Sequence, residues 1–194
     1  RGRLASLLDR IEDACTKSLQ TSAPHATEYV ERLKDEKLLY QTIVRGQSYF
    51  ESVLAQPLPD KVQAVVAVPL RRCVMRRLEH IYSKQDVIIL ALETANHEAQ
   101  PTLPASQITP SFETVRDRPD GPMQLVHALC VYLYQRPEDS GERQRTRAIL
   151  CHVYHHALHA AYHVARDRFL MSHLHESIHL ADAETQILYN RVLE

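Results

Sequence analysis

Residues 146–194 read TRAILCHVYHHALHAAYHVARDRFLMSHLHESIHLADAETQILYNRVLE, and the reading of this block decides the fold. At 3.6 residues per turn, Ile149, Leu150, Val153 and Ala157 share one side of a helix, while His152, His155, His156 and His159 gather on another. The spacing predicts a helix with a core face and a separate histidine face. The next helix, from Tyr162 to Leu174, is apolar on two sides. Val164, Met171 and Leu174 point one way and Ala165 and Phe169 the other, so it needs neighbours on both. Asp182 then caps a third helix, with Glu184 in the first turn and Ile187, Leu188 and Val192 at helical spacing. Helix, tight joint, doubly apolar helix, next helix is the grammar of an array in which each unit buries its face only against the following one. The expected fold class is all-α: a TPR- or HEAT-like helical-repeat segment of a right-handed solenoid, cut from something longer.

Upstream, the first helix is expected from Leu4 to Leu19, with Leu4, Leu7, Leu8, Ile11 and Cys15 on its apolar face and Thr21, Ser22 and Pro24 ending it. A second helix starts near Ala26, uses Tyr29, Val30, Leu33, Tyr40 and Val44 as its inner stripe, and has a point of weakness at Gly46 before Pro57-Leu58-Pro59 stops it. Asp60 caps a third helix whose buried seam is Leu70, Val74, Leu78 and Ile81. Pro69 inside it predicts a kink or two shorter helices. Residues 86–97 again favour helix. Residues 100–122 carry five of the ten prolines, Pro101, Pro104, Pro110, Pro119 and Pro122, with few large apolar side chains, the composition of a flexible linker. Pro122 opens a helix through Leu125, Val126, Leu129 and Leu133, and Arg136–Gly141 separates it from the final block. The expected organisation is an N-terminal helical-repeat part (1–99), a Pro-rich linker (100–122) and a C-terminal helical-repeat part (123–194).

Composition narrows the function. Four glycines, no tryptophan and 24% charged residues among 194 suit helices joined by short turns. A net charge of −1 gives no bulk attraction to nucleic acid, so any RNA contact needs a local patch. Protonating all 12 histidines would add 12 positive charges, so surface charge is expected to swing with pH. The four cysteines lie far apart, without C-x-x-C spacing, as small buried hydrophobes of a reducing cytoplasm do. No apolar run approaches the ~20 residues that span a bilayer, and no membrane association is expected.

The candidate interaction residues fall in two groups. Arg72 and Arg76 point away from the Leu70/Val74/Leu78/Ile81 seam and could grip RNA phosphates, while Arg71 and Arg77 flank the seam and are expected to pair with acids. His152, His155, His156 and His159 are candidates for a protein or RNA contact, with structural packing as the plainer alternative. They contain two i, i+4 pairs, yet no cysteine or carboxylate stands at a spacing that completes a metal site. His175-Glu176-Ser177-Ile178-His179 matches H-E-x-x-H, the signature of a zinc metallopeptidase. The third ligand is missing, because Asp182 and Thr185 occupy the positions where a metzincin needs Gly and His, and the helix is expected to break near Leu180. With no G-x-S-x-G elbow, P-loop or dinucleotide motif, the sequence names no catalytic residue, cofactor or metal.

AILCHVYHHALH (Ala148–His159), ARDRFLMSHL (Ala165–Leu174), TQILYNR (Thr185–Arg191) and, upstream, PHATEYVERLKDE (Pro24–Glu36) resemble stretches of the c-subunit family of eukaryotic translation initiation factor 3, in the same order and at compatible distances. The resemblance implies the central helical region ahead of that family's PCI module. It implies a non-enzymatic scaffold role in translation initiation in the cytoplasm. The partners it implies are other subunits of initiation factor 3, notably the a-subunit, the small ribosomal subunit and other initiation factors. A related PCI-type scaffold of the proteasome lid or signalosome shares the architecture but lacks AILCHVYHHALH.

Overall fold

The buried seam of the third helix is found as expected: Leu70, Val74, Leu78 and Ile81 are all withdrawn from solvent. The computed structural model describes residues 4–23, 25–57, 59–135 and 142–194, and among these every regular element is helical. The helices are α1 (Leu4–Thr21), α2 (Thr27–Leu54), α3 (Asp60–Ile81), α4 (Asp86–Ala99), α5 (Phe112–Asp117), α6 (Gly121–Tyr134), α7 (Glu142–Leu158), α8 (Tyr162–Met171), α9 (Leu174–Ser177) and α10 (Ala183–Leu193), with a 3-10 turn at Ile178–Leu180. Pro24, Leu58 and the Arg136–Gly141 separator lie outside the described residues. The chain forms two compact units, one of Arg1–Arg77 with Ala91–Gln107 and one of Leu78–Leu90 with Ile108–Glu194.

In the first unit α1 packs on α2, and Gly46 is buried in α2. A Cβ at Gly46 would fall 2.8 Å from Leu8 Cδ1 and 3.6 Å from Cys73 Sγ. The missing side chain therefore admits its neighbours, and α2 runs through Gly46 without a break. Likewise α3 runs as one helix across Pro69. The expected apolar stripe of α1 is rotated: Ala5, Leu8 and Glu12 are buried, whereas Leu4, Leu7 and Ile11 are exposed. Glu12 goes inward because Arg76 Nε meets its carboxylate at 3.1 Å. On α2 the buried stripe begins only at Leu39, leaving Val30 and Leu33 exposed.

The core of this unit is polar at one point. Arg77 donates to Glu93 Oε1 at 2.8 Å, to Tyr40 Oη at 3.1 Å and to Gln47 Oε1 at 3.0 Å, while the Tyr40 hydroxyl also donates to Glu93. All four side chains are buried. Each polar atom brought out of water in this group thus meets a partner of opposite character, as burial of charge requires. Gln47 passes the network to Glu51 at 2.7 Å, and Glu51 accepts from Ser106 Oγ at 2.9 Å and from the Gln107 amide at 2.8 Å. Residues 100–122 are accordingly tied down at Ser106 and Gln107, and they contain α5 and the start of α6.

In the second unit α7 is the hub, with α6, α8 and α10 packed on it and α5 on α6. Two residues past the end of α7, Ala160 turns left-handed with a φ of 58°. The Ala161 amide donates to the His156 carbonyl at 2.9 Å and the Ala160 amide to the Ala157 carbonyl at 3.0 Å, a Schellman closure without glycine. α8 stops at Met171, short of the expected Leu174, because His173 turns left-handed (φ 52°) and starts α9. Only one side of α8 is covered among the described residues: Ala165 is buried and Phe169 sits 5.5 Å from Tyr189, but Val164 and Met171 are exposed. Asp182 caps α10 as expected, accepting from the Thr185 amide.

Gly121 at the start of α6 has no room for a side chain, since a Cβ there would stand 2.2 Å from the Val115 carbonyl oxygen. Backbone cannot rotate aside as the Leu8 tip can. Gly121→Ala is therefore expected to lower the urea midpoint, costing about 1–3 kcal/mol as overpacking does. Gly46→Ala is expected to change it less, because about 1 kcal/mol of gained helix propensity offsets the reorientation of Leu8.

Candidate functional site: the histidine helix

Helix α7 carries the sequence's most distinctive feature, and its surroundings on several sides decide what that feature does. Of the expected apolar stripe Leu150 and Val153 are buried, Ile149 and Ala157 are half-buried, and Ala148 and Cys151 are buried beside them. His152, His155 and His156 are buried as well. This corrects the expected histidine face away from the core, for a physical reason: periodicity marks the apolar side of a helix but does not count its neighbours. With α6 packed on α7, the His152 side faces protein.

The rings are held individually. His152 Nδ1 shares a hydrogen bond with the Tyr134 hydroxyl at 2.7 Å, its Nε2 lies 3.4 Å from His127 Nδ1, and the ring stacks on His156 with centroids 4.5 Å apart. His155 Nδ1–H donates to the Tyr82 carbonyl at 3.0 Å, which fixes its tautomer and leaves Nε2 as the basic nitrogen. His159, largely covered, packs edge-on to His155 and places Nε2 3.3 Å from Asp86 Oδ1. Burial lowers the pKa of His152 to about 2, with the nearby Arg168 charge acting in the same direction. Burial also lowers His155 to about 4, against the raising effect of its bond to Tyr82. His156 and His127 are lowered too, first by burial and then by Arg168. Near neutral pH His152 and His155 are uncharged packing groups.

The arginine candidates also differ from the expected outward pair. Arg72 pairs with Asp9, and Arg76 lies 3.5 Å from Asp9 and 3.1 Å from Glu12, all within the first unit. Both guanidiniums remain partly exposed, but α1 supplies acids that answer their charge. Arg77, expected to pair, does so with Glu93. His152, His155 and His156 on α7 and His159 just past its end come together in the second unit, whereas Arg72 and Arg76 belong to the first.

The H-E-x-x-H match is split between two elements. His175 and Glu176 sit on the four-residue α9, and His179 sits in the 3-10 turn that follows. His175 and His179 are exposed, and the motif does not lie on one continuous α-helix as a zincin requires. Sequence reasoning missed Tyr82, Tyr134, Glu79 and Asp86, which hold α7 from outside it. Glu79 accepts from Arg147 at 2.6 Å, and one turn nearer the N-terminus of the helix Arg143 bridges Asp182 and Glu184 at 2.8 and 2.9 Å. Arg143 holds the Asp182 carboxyl well below the usual carboxylate range. Tyr82, Glu79 and Asp86 lie more than sixty positions upstream of the side chains they meet, and no spacing within residues 146–194 points to them.

Comparison with known proteins reaches the whole chain. The family model described as "Eukaryotic translation initiation factor 3 subunit 8 N-terminus" matches residues 1–194. The chain is similar to the C subunit of eukaryotic translation initiation factor 3 from Mycosarcoma maydis, 56% identical over 193 residues, covering 100% of this chain and 20% of that protein. It is 41% identical over 193 residues to the C subunit of the same factor from Schizosaccharomyces pombe, covering 100% of this chain and 19% of that protein. The similarity thus runs through 38–122 as well as the flanking stretches, and the chain spans about a fifth of the length of these curated relatives.

A histidine held neutral by burial takes up its proton only on unfolding, so stability is full above the unfolded value near 6.5 and falls as pH drops toward the folded value. For His155 that window runs from 6.5 to about 4, and His152 acts in the same sense. Denaturant unfolding at stepped pH is expected to show stability declining below pH 6.5, by up to about 1.4 kcal/mol per pH unit for each such ring. His152→Phe, which removes one titrating ring, should flatten the slope.

Proposed function

The chain belongs to the eukaryotic translation initiation factor 3 subunit 8 N-terminal family, and on that premise we propose that it is a scaffold segment of the factor rather than an enzyme. The observation that carries this reading is the family match across residues 1–194. Packing is in keeping with it: α1 leaves Leu4, Leu7 and Ile11 exposed, α8 leaves Val164 and Met171, and α10 leaves Ile187 and Leu193, apolar side chains of the kind a larger assembly covers. In this reading the segment is a TPR- or HEAT-like stretch of a right-handed solenoid that stands ahead of a PCI module in the longer protein. Its partners are the other subunits of initiation factor 3, notably the a-subunit, together with the small ribosomal subunit and other initiation factors in the cytoplasm. Among the described residues no helix is long and apolar enough to cross a membrane.

Arg72 and Arg76 remain the side chains with solvent access for a ribosomal-RNA phosphate, and His159 is the least enclosed of the four helix histidines. His152, His155 and His156 serve the segment through packing. Affinity purification of the full-length protein that carries this segment, followed by mass spectrometry, tests the assignment. The expected result is near-stoichiometric recovery of initiation factor 3 subunits together with small-subunit ribosomal proteins. Recovery of proteasome-lid or signalosome subunits in their place would overturn it.

A further inference from the structure

Asp86, His155 and His159 each place one ligand atom within 4.8 Å of the others. His155 lies in the last turn of α7 and His159 just past its end, and the carboxylate comes from the first turn of α4, within the same compact unit. Three atoms in this cluster are withdrawn from water with no hydrogen-bond partner: His155 Nε2, His159 Nε2 and Asp86 Oδ1. Buried polar atoms are ordinarily satisfied, so three converging orphans call for a missing partner. An extra proton answers poorly, because one proton between His159 and Asp86 still leaves the His155 lone pair unmet.

We infer that Asp86, His155 and His159 form a binding site for a divalent transition metal ion, best matched by Zn²⁺. Two imidazoles and one carboxylate are a borderline-soft donor set, which favours such ions over Mg²⁺ or Ca²⁺. His155 is fully buried, and its Nδ1–H is already committed to the Tyr82 carbonyl at 3.0 Å. That is the outer hydrogen bond that metal-bound histidines ordinarily make, and it leaves the basic Nε2, itself without a hydrogen-bond partner, as the ligand atom. A tetrahedral ion with bonds near 2.0 Å holds its ligand atoms about 3.3 Å apart, and His159 Nε2 and Asp86 Oδ1 already stand 3.3 Å apart. The partial exposure of Asp86 and His159 gives the ion its path in, and a water completes the fourth position. The bound ion clips the start of α4 to the end of α7, a structural role separate from the HESIH residues at 175–179.

The test uses the 194-residue chain purified without a polyhistidine tag, stripped of metal and titrated with Zn²⁺ by calorimetry. Co²⁺ serves as a visible-absorption probe of coordination geometry. The expected result is one equivalent of Zn²⁺, a rise in Tm on binding, and the intense visible bands of tetrahedral Co²⁺. Asp86→Asn, which keeps the side chain's shape, and His159→Gln should each weaken Zn²⁺ at least about tenfold while circular dichroism stays native. A control, His175→Gln with His179→Gln, should bind as the unaltered chain does. No stoichiometric binding by the unaltered chain would overturn the site, and that measurement needs no variant to fold. Binding that survives both single substitutions, or that disappears in the control, would overturn it equally.

Discussion

The constraint that organises the second unit is the burial of imidazole. Helix α7 is packed by α6, α8 and α10, so the side that would meet solvent in a two-neighbour helix lies inside. Histidine tolerates this position if it stays neutral and its N–H finds an acceptor. His155 meets both conditions through the Tyr82 carbonyl, and His152 has Tyr134 and His127. The helix is thereby placed by directional bonds as well as by apolar contact. Arg147 to Glu79 and Arg143 to Asp182 and Glu184 then fix it toward its N-terminal end. Exposed pairs such as Arg143–Asp182 contribute little energy but help set register, whereas the buried rings are costly to leave unmatched.

The first unit applies the same rule with full charges. Removing Arg77 or Glu93 alone would leave the other buried and uncompensated, a defect of about 3–5 kcal/mol, although the intact pair need not be worth more than an apolar replacement of equal volume. What the group of Arg77, Glu93, Tyr40 and Gln47 provides is a unique arrangement, because few packings satisfy all of its donors at once. Through Glu51 the arrangement extends to Ser106 and Gln107.

Much of this was legible from spacing alone. The seam of α3, the inner positions of α6 at Leu125, Val126, Leu129 and Leu133, the joint after His159 and the Asp182 cap depend on local periodicity and capping, which a sequence displays directly. The errors arose where a distant residue decides. Glu12 is drawn inward by Arg76, 64 positions away, and that rotates α1. α5 forms within a proline-rich stretch because Val115 packs there and Gly121 permits the close approach. Asp86 stands beside His155 and His159 only once the chain has folded, so the histidine pair read as a ligand set without a third member. Arg72 and Arg76 pointed outward on the helical wheel of α3, where the arrival of α1 with Asp9 and Glu12 could not be seen.

The central claim is that α7 is an interior helix whose buried rings stay neutral in fixed tautomers, and nitrogen NMR of the histidine rings tests it most directly. At about pH 5.5, below the ordinary histidine value, His152 and His155 should still give neutral-ring shifts, with the His155 proton on Nδ1. A charged ring at either position, or a His155 proton on Nε2, would contradict the account and return the histidines of α7 to a solvated face.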